Sequence, residues 1–127
     1  MQLHLQRNAD ANSVTSYGPG YFVVNETRIH SSIIIGPEVL DASWSAASVD
    51  DIVPAVIEEL LTHSPEVILI GSGDRHRFPA ASVMSMVAQA RVGLEVMTTG
   101  AACRTYSVLL SEGRAVIALL LRTASEG

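Results

Sequence analysis

The chain has 127 residues, which is a common length for one domain. Its 48% hydrophobic content can fill a single core, and that core must be mainly aliphatic because aromatic residues make up only 5%. Thirteen acidic and eight basic residues leave a net charge of −5, which argues against non-specific nucleic-acid binding because such binding needs a positive face.

The first segment, residues 1–19, is mostly polar and ends in the turn-forming pair "GP". It is predicted to be a loosely held N-terminal arm or an edge strand. No repeat or composition shift divides the rest of the chain, so residues 20–122 are expected to form a single α/β domain. Residues 123–127 are then a short C-terminal tail.

A β-hairpin is the next predicted element. Residues 21–24 are aromatic and β-branched, and the strand pattern resumes over residues 28–35. The pair Asn25-Glu26 between them can form the turn. After a further turn, a short strand or coil is expected around residues 43–45.

The clearest helix signal is a set of apolar side chains at i, i+3, i+4, i+7 and i+8 spacing. These residues are Val53, Val56, Ile57, Leu60 and Leu61. Pro54 restricts the start of the helix, because proline is tolerated only in the first turn. With Asp51 as the N-cap, Pro54 takes the third helical position, where no intrahelical donor is lost. Pro65 is predicted to end the helix.

The second half of the chain alternates between buried strands and helices. The segment "EVILIG" at residues 66–71 contains an unbroken apolar run and ends in glycine, which predicts a strand that is buried on both faces. The following elements are a helix from Pro79 to about residue 92, a strand at 94–98, a helix at 100–112 and a strand at 115–121. This order is typical of parallel βαβ crossovers. We therefore predict a three-layer α/β fold with a mixed central sheet, in which an antiparallel N-terminal hairpin precedes a parallel βαβαβ half.

The location of the protein is predicted from its apolar runs and its cysteine content. The longest uninterrupted apolar run, residues 115–121, is far shorter than a membrane span. One cysteine cannot form an internal disulfide, so a reducing compartment, the cytoplasm, is expected. All eight basic residues are arginine, which we interpret mainly as the codon bias of a GC-rich bacterial genome. No spacing resembles a zinc site, so neither a metal nor a cofactor is expected.

One candidate site is the loop after the strand at 66–71. Ligands of open parallel sheets bind beyond the carboxyl ends of the strands. Two glycines in this loop allow close backbone approach, and basic side chains follow them. The candidate ligand-binding residues here are Gly71, Ser72, Gly73, Asp74 and Arg75. The loop is predicted to be either a tight turn with solvated charges or a site for an anion or an acidic partner.

The second candidate is the loop after the strand at 94–98, where Thr99, Gly100 and Arg104 are possible ligand-binding residues around Cys103. If Thr99 caps the helix, Cys103 ends its first turn, where the helix dipole and Arg104 could stabilise a thiolate. Only His76 has an obvious route to this rim as a base. The alternative is that Cys103 is a small buried hydrophobe packed on the sheet.

Two strings resemble a known family when they are taken together. "VILIGSGDRHRFP" and "VGLEVMTTGAACRTYSVLLSEGRAVIALLL" are similar to the family called domain of unknown function 498. The resemblance implies a three-layer fold with a mixed sheet and no established reaction. Family members commonly have an acidic residue before the Thr-Gly step, whereas this chain has Thr98. Because one family member is a mitochondrial assembly factor of respiratory complex I, the resemblance also implies an assembly role.

Two functional hypotheses follow from these features. The first is a non-enzymatic binding or assembly factor that works through the rim loops and the hairpin, with a protein partner and a possible homo-oligomer. The mean hydropathy of the chain, +0.31, is high for a small monomer, which favours a surface that contacts another protein. The second is a site for a small anionic ligand in which Cys103 acts as a reactive thiol.

Overall fold

The computed structural model describes residues 11–124. Short loops join eight strands, three α-helices and one 3-10 helix in this part of the chain. The strands are β1 (Val14–Gly18), β2 (Tyr21–Val24), β3 (Thr27–Ile29), β4 (Ser32–Gly36), β5 (Val39–Trp44), β6 (Val67–Gly71), β7 (Gly93–Met97) and β8 (Val116–Leu120). The helices are the 3-10 helix (Val49–Asp51), α1 (Pro54–Leu61), α2 (Ala81–Gln89) and α3 (Thr99–Ser111).

The strands form two sheets. β1, β2 and β3 make a small antiparallel sheet, while the central sheet has the order β5-β4-β8-β6-β7. In the central sheet β6 is parallel to both β7 and β8, and β4 is antiparallel to β5 and β8. The predicted mixed α/β fold with a parallel C-terminal half is therefore confirmed.

Two cores lie on opposite faces of the central sheet, because neighbouring residues of a strand point to opposite sides. Val67 and Leu69 pack with α3 and the small sheet, whereas Ile68 and Ile70 pack with α1 and α2. Every residue of β6 and β8 is buried. This double burial explains their unbroken apolar sequences and produces the three predicted layers.

The predicted strand at residues 28–35 is interrupted in the structure. Its first part is β3 in the small sheet and its second part is β4 in the central sheet. The chain changes sheets at Ser31, whose hydroxyl lies within hydrogen-bonding distance of the carbonyls of Ser32 and Ala42. The predicted turn is present, and Asn25 and Glu26 both have positive φ, as a two-residue type I′ hairpin turn requires.

The expected start of the first helix is wrong. Asp51 ends a 3-10 helix that Ser48 caps, and its carboxylate accepts hydrogen bonds from the backbone amides of Ala47 and Ser48. The buried residue Ile52 then has an extended backbone, so α1 begins afresh at Pro54. Proline suits this first position because its missing N–H has no intrahelical partner there.

Part of the predicted N-terminal arm belongs to the packed structure. Residues 14–18 form β1, which corresponds to the edge-strand alternative. Before that strand, the Asn12 side-chain amide donates to the carbonyls of Gly36 and Val39, each at 3.0 Å. Residues 1–10 of the predicted arm and residues 125–127 of the predicted tail lie outside the described residues.

Candidate functional site

The two predicted loops meet at the carboxyl ends of β6 and β7. These strands are parallel neighbours, so both loops leave the sheet at the same edge. The Ser72 amide donates to the Met97 carbonyl at 2.8 Å, and the Thr99 amide donates to the Gly73 carbonyl at 3.0 Å. The loop backbones are therefore bonded directly to each other.

Thr99 joins the loops and the end of β8. Its buried hydroxyl donates to the Leu121 carbonyl at 2.7 Å and accepts from the Gly73 amide at 2.8 Å. Thr98, not Thr99, is the N-cap of α3, so the expected capping role of Thr99 is wrong. Because the hydroxyl both donates and accepts a hydrogen bond inside the protein, Thr99 holds the loop after β6 against the end of β8.

The glycines at this edge allow close packing. A Cβ atom on Gly71 would lie 3.0 Å from the Ala102 Cβ and 3.0 Å from the Thr99 Cα, so a side chain there would push α3 away from the sheet. Gly73 has a φ of +101°, which other residues rarely adopt. Gly100 lies beside the Tyr17 ring, where an added Cβ would be 3.4 Å from a ring carbon.

The loop after β6 is folded on itself by Ser72. The buried Ser72 hydroxyl lies within hydrogen-bonding distance of the carbonyls of Arg75 and Met97 and accepts from the Arg77 amide at 3.1 Å. Asp74 accepts from the Ala124 amide at 2.9 Å. These contacts fix the backbone of the loop and leave the side chains of Arg75 and Arg77 exposed.

Cys103 does not lie on the exposed rim. It faces the core from the second turn of α3 and is only 2% exposed. Burial raises the pKa of its thiol to about 12, and the nearby charge of Arg104 opposes this shift without cancelling it. A neutral, buried thiol is a poor nucleophile, because the thiolate is the reactive form.

The surroundings of Cys103 are separate from the loop after β6. Cys103 and Arg104 line a shallow depression of about 290 Å³ beneath β1, with Tyr17 among its other walls. The Arg104 guanidinium donates to the Tyr17 hydroxyl. His76 places Nε2 3.1 Å from the Val96 carbonyl and packs edge-to-face on Phe78, so neither contact directs it to Cys103.

A larger depression of about 610 Å³ opens beside the loop after β6. Ser72, Gly73, Asp74 and Arg75 line it, as do Arg77 of the same predicted loop and Arg122, which the sequence interpretation did not include. Arg122 comes two residues after β8 just as Gly73 comes two residues after β6, and these strands are parallel neighbours. The rule that places ligands beyond the carboxyl ends of parallel strands would have found Arg122 once the strand order was known.

The described residues limit the kinds of site that this part of the chain can form. No helix within residues 11–124 is both long and apolar enough to cross a membrane. In the same part of the chain, no three His, Cys, Asp or Glu side chains are grouped so that they could hold a metal ion. The buried polar side-chain atoms of these residues all have hydrogen-bond partners. The polar groups that remain available to a ligand are therefore those at the surface.

Comparison with known proteins supplies two named relatives. The chain is 30% identical over 120 residues to NADH dehydrogenase [ubiquinone] 1 alpha subcomplex assembly factor 3 of Bos taurus, covering 92% of this chain and 65% of that protein. It spans just under two thirds of that relative. A protein of Francisella tularensis subsp. holarctica named 13 kDa major membrane protein is 27% identical over 106 residues, covering 83% of this chain and 86% of that one.

A solved structure and a family model agree with these relatives. A crystal structure of a Bordetella parapertussis protein superposes with a TM-score of 0.80 at 37% identity, covering 88% of this chain and 96% of that one. The model of the family described as protein of unknown function (DUF498/DUF598) matches residues 14–121. This match confirms the resemblance seen in the sequence. The chain belongs to the DUF498/DUF598 family.

Proposed function

We propose that this chain is a non-enzymatic binding factor that assists the assembly of a protein complex. We further propose that the loops after β6 and β8 are its working surface. The observation that carries the proposal is that some polar groups of these loops are bonded inside the protein while others remain exposed. The hydroxyl groups of Ser72 and Thr99 bond to backbone groups inside the rim, while arginine side chains line an open depression. A rigid base with outward-facing charges suits recognition.

The alternative of a reactive thiol has less support. Cys103 would have to leave the core between α3 and the sheet before a substrate could reach it. Its raised pKa also leaves little thiolate near neutral pH. By contrast, Arg75 and Arg77 need no rearrangement to contact a partner, because both are already exposed.

Respiratory complex I is the proposed complex. The support is the assembly-factor name of the bovine relative, which this chain matches over most of its own length. We propose the cytoplasm of a bacterium as the site of action. Because another relative is named as a membrane protein, fractionation of membranes belongs in the same experiment.

Deletion of the gene in the organism that encodes the chain tests this function. We expect less assembled complex I on native gels and slower NADH oxidation by isolated membranes, both restored by the wild-type gene. Normal complex I in the deletion strain would contradict the proposed complex.

Arg75→Glu and Arg91→Glu form a matched pair for the proposed surface. Both arginines are exposed, and neither side chain has a hydrogen-bond or ion-pair partner within residues 11–124. Arg75 lies beyond the carboxyl end of β6, whereas Arg91 precedes the amino end of β7. We expect only Arg75→Glu to fail in restoring complex I. Equal restoration by both variants would contradict the proposed working surface.

A further inference from the structure

The depression beside the loop after β6 concentrates positive charge in an acidic protein. Three of the eight arginines line it, Arg75, Arg77 and Arg122, although the whole chain has a net charge of −5. Among the described residues of its lining Asp74 is the only acidic one, and one oxygen of that carboxylate already accepts from the Ala124 amide. The local charge is therefore opposite in sign to the charge of the molecule.

Most of the guanidinium donors remain available to a ligand. Arg75 has no side-chain partner within the described residues. Arg122 uses one nitrogen to donate to the His30 carbonyl at 2.8 Å, which holds the side chain in place and leaves its other N–H groups. Arg77 pairs with Asp50 at 3.4 Å, but both side chains are at least half exposed, so this pair is weak and exchangeable.

An exposed aromatic side chain follows the lining residue Arg77 in sequence and lies outside the lining itself. Phe78 is 60% exposed and packs edge-to-face against His76, with 4.8 Å between the ring centroids. Arginine and aromatic residues together are enriched at the energetic centres of protein interfaces. A small anion would make no use of Phe78, whereas a polypeptide can present acidic and apolar side chains side by side.

The size and form of the depression also suit a chain segment. Its volume of about 610 Å³ is comparable to that of pockets which hold ligands much larger than a single anion, but it is open to solvent. Carboxylates pair with guanidinium groups through two parallel hydrogen bonds, which gives orientation as well as attraction.

We propose that this depression binds an acidic polypeptide segment of the partner, with carboxylates on Arg75 and Arg122 and an apolar side chain against Phe78. The proposal rests on the proposed function, since it names the chemistry of the partner at that surface. Release of Arg77 from Asp50 would add a third guanidinium to the site.

Selection from a phage-displayed library of short random peptides on the purified full chain tests the proposal. We expect the enriched peptides to be rich in Asp and Glu and to carry an aromatic or aliphatic residue. The strongest of them is then synthesised with a fluorescent label and titrated by anisotropy. The expected affinity falls at least about tenfold with Arg75→Glu or Arg122→Glu and is unchanged with Arg91→Glu.

Two further measurements are needed. One tests the contribution of the apolar contact to peptide binding, and the other tests whether the depression prefers a small anion. Phe78→Ala should weaken the selected peptide by at least about fivefold, while the Phe78→Tyr variant should bind it nearly as well. Citrate and inorganic phosphate are titrated by NMR on the same protein. Enrichment of non-acidic peptides, no enrichment, or a peptide insensitive to Arg75→Glu would overturn the proposal. So would citrate or phosphate binding at the depression in preference to the peptide.

The peptide experiment and the gene deletion test the binding site and the assembly role separately. If deletion impairs complex I but no acidic peptide binds, the assembly role stands and the partner contacts another surface. If acidic peptides bind but deletion leaves complex I intact, the binding site stands and the identity of the complex is wrong.

Discussion

The loops after β6 and β7 begin at adjacent points of the sheet but present opposite kinds of side chain. The segment between β6 and α2 covers residues 72–80 and exposes consecutive polar residues. Between β7 and α3 there is only Thr98, so that helix begins at once against the sheet. The longer loop lines an open, arginine-rich depression, whereas the shorter one leads directly to the buried Cys103.

This difference shows that nearness to a strand end does not by itself make a residue part of a ligand site. In α3 the buried side chains recur at helical spacing, at Thr99, Ala102, Cys103 and Tyr106. Cys103 therefore belongs to the packing face of the helix. Arg104, the next residue, points outward, but it contacts β1 and does not line the arginine-rich depression beside the loop after β6.

Thiol labelling tests the buried side of this comparison and has the largest expected effect. At pH ~8 we expect iodoacetamide to modify Cys103 about a thousandfold more slowly than an exposed thiol, because a pKa of about 12 in place of 9.0 lowers the thiolate fraction by that factor. The rate should keep rising as the pH increases well above ~9, where an ordinary thiol is already ionised. Mass spectrometry of the native protein measures this rate.

The matched control introduces a cysteine at an exposed position of the same helix. Ser107→Cys in a Cys103→Ala background replaces an exposed residue one turn further along α3. We expect it to react at the rate of a free thiol. Similar rates for the two positions would mean that Cys103 is accessible, and the reactive-thiol hypothesis would regain its basis.

Among the proposed substitutions, truncation of Tyr106 should lower the free energy of unfolding most. Tyr106 is fully buried, and its hydroxyl donates to the Asn12 carbonyl at 2.7 Å. We expect Tyr106→Ala to lower the free energy of unfolding by about 3–5 kcal/mol and Tyr106→Phe to lower it by about 1 kcal/mol. Urea unfolding measures both. Val108→Ala, at a 55% exposed position of the same helix, should change it by less than about 0.5 kcal/mol.

Thr99→Val separates the two loops without changing side-chain volume. The Gly73 amide and the Leu121 carbonyl would both lose their hydroxyl partner. We expect a loss of about 2 kcal/mol in unfolding free energy and weaker binding of the acidic peptide. Thr27→Val on the exposed strand β3 is the control. Equal unfolding midpoints for the two variants would show that Thr99 does not hold the rim together.

The smallest effect on stability and binding is expected from substitution of Arg104, which the sequence analysis had proposed, like Arg75, as a ligand-binding residue. Arg104→Gln removes the exposed contact with the Tyr17 hydroxyl and should change the free energy of unfolding by less than about 0.5 kcal/mol. Arg75→Gln should be equally harmless to stability, but only this variant should weaken the acidic peptide in anisotropy titrations. Weakening by both variants would join the two regions into one site.

The sequence by itself determined the three C-terminal strands of the central sheet, β6, β7 and β8, and their parallel direction. β6 and β8 are buried on both faces, so their apolar runs needed no tertiary information to be recognised as strands. The apolar spacing between Val53 and Leu61 likewise determined that a helix forms there. Local patterns are sufficient in these cases because they record the burial of the segment that carries them.

Only the tertiary structure decided which residues meet. Arg122 joins Arg75 and Arg77 because β8 lies between β4 and β6, and this strand order results from packing between distant segments. The division of residues 28–35 between two sheets and the burial of Cys103 beneath β1 were decided in the same way. A periodic pattern shows which face of an element is buried, but it does not identify the element that covers that face. The set of residues that line the depression therefore depended on the tertiary fold.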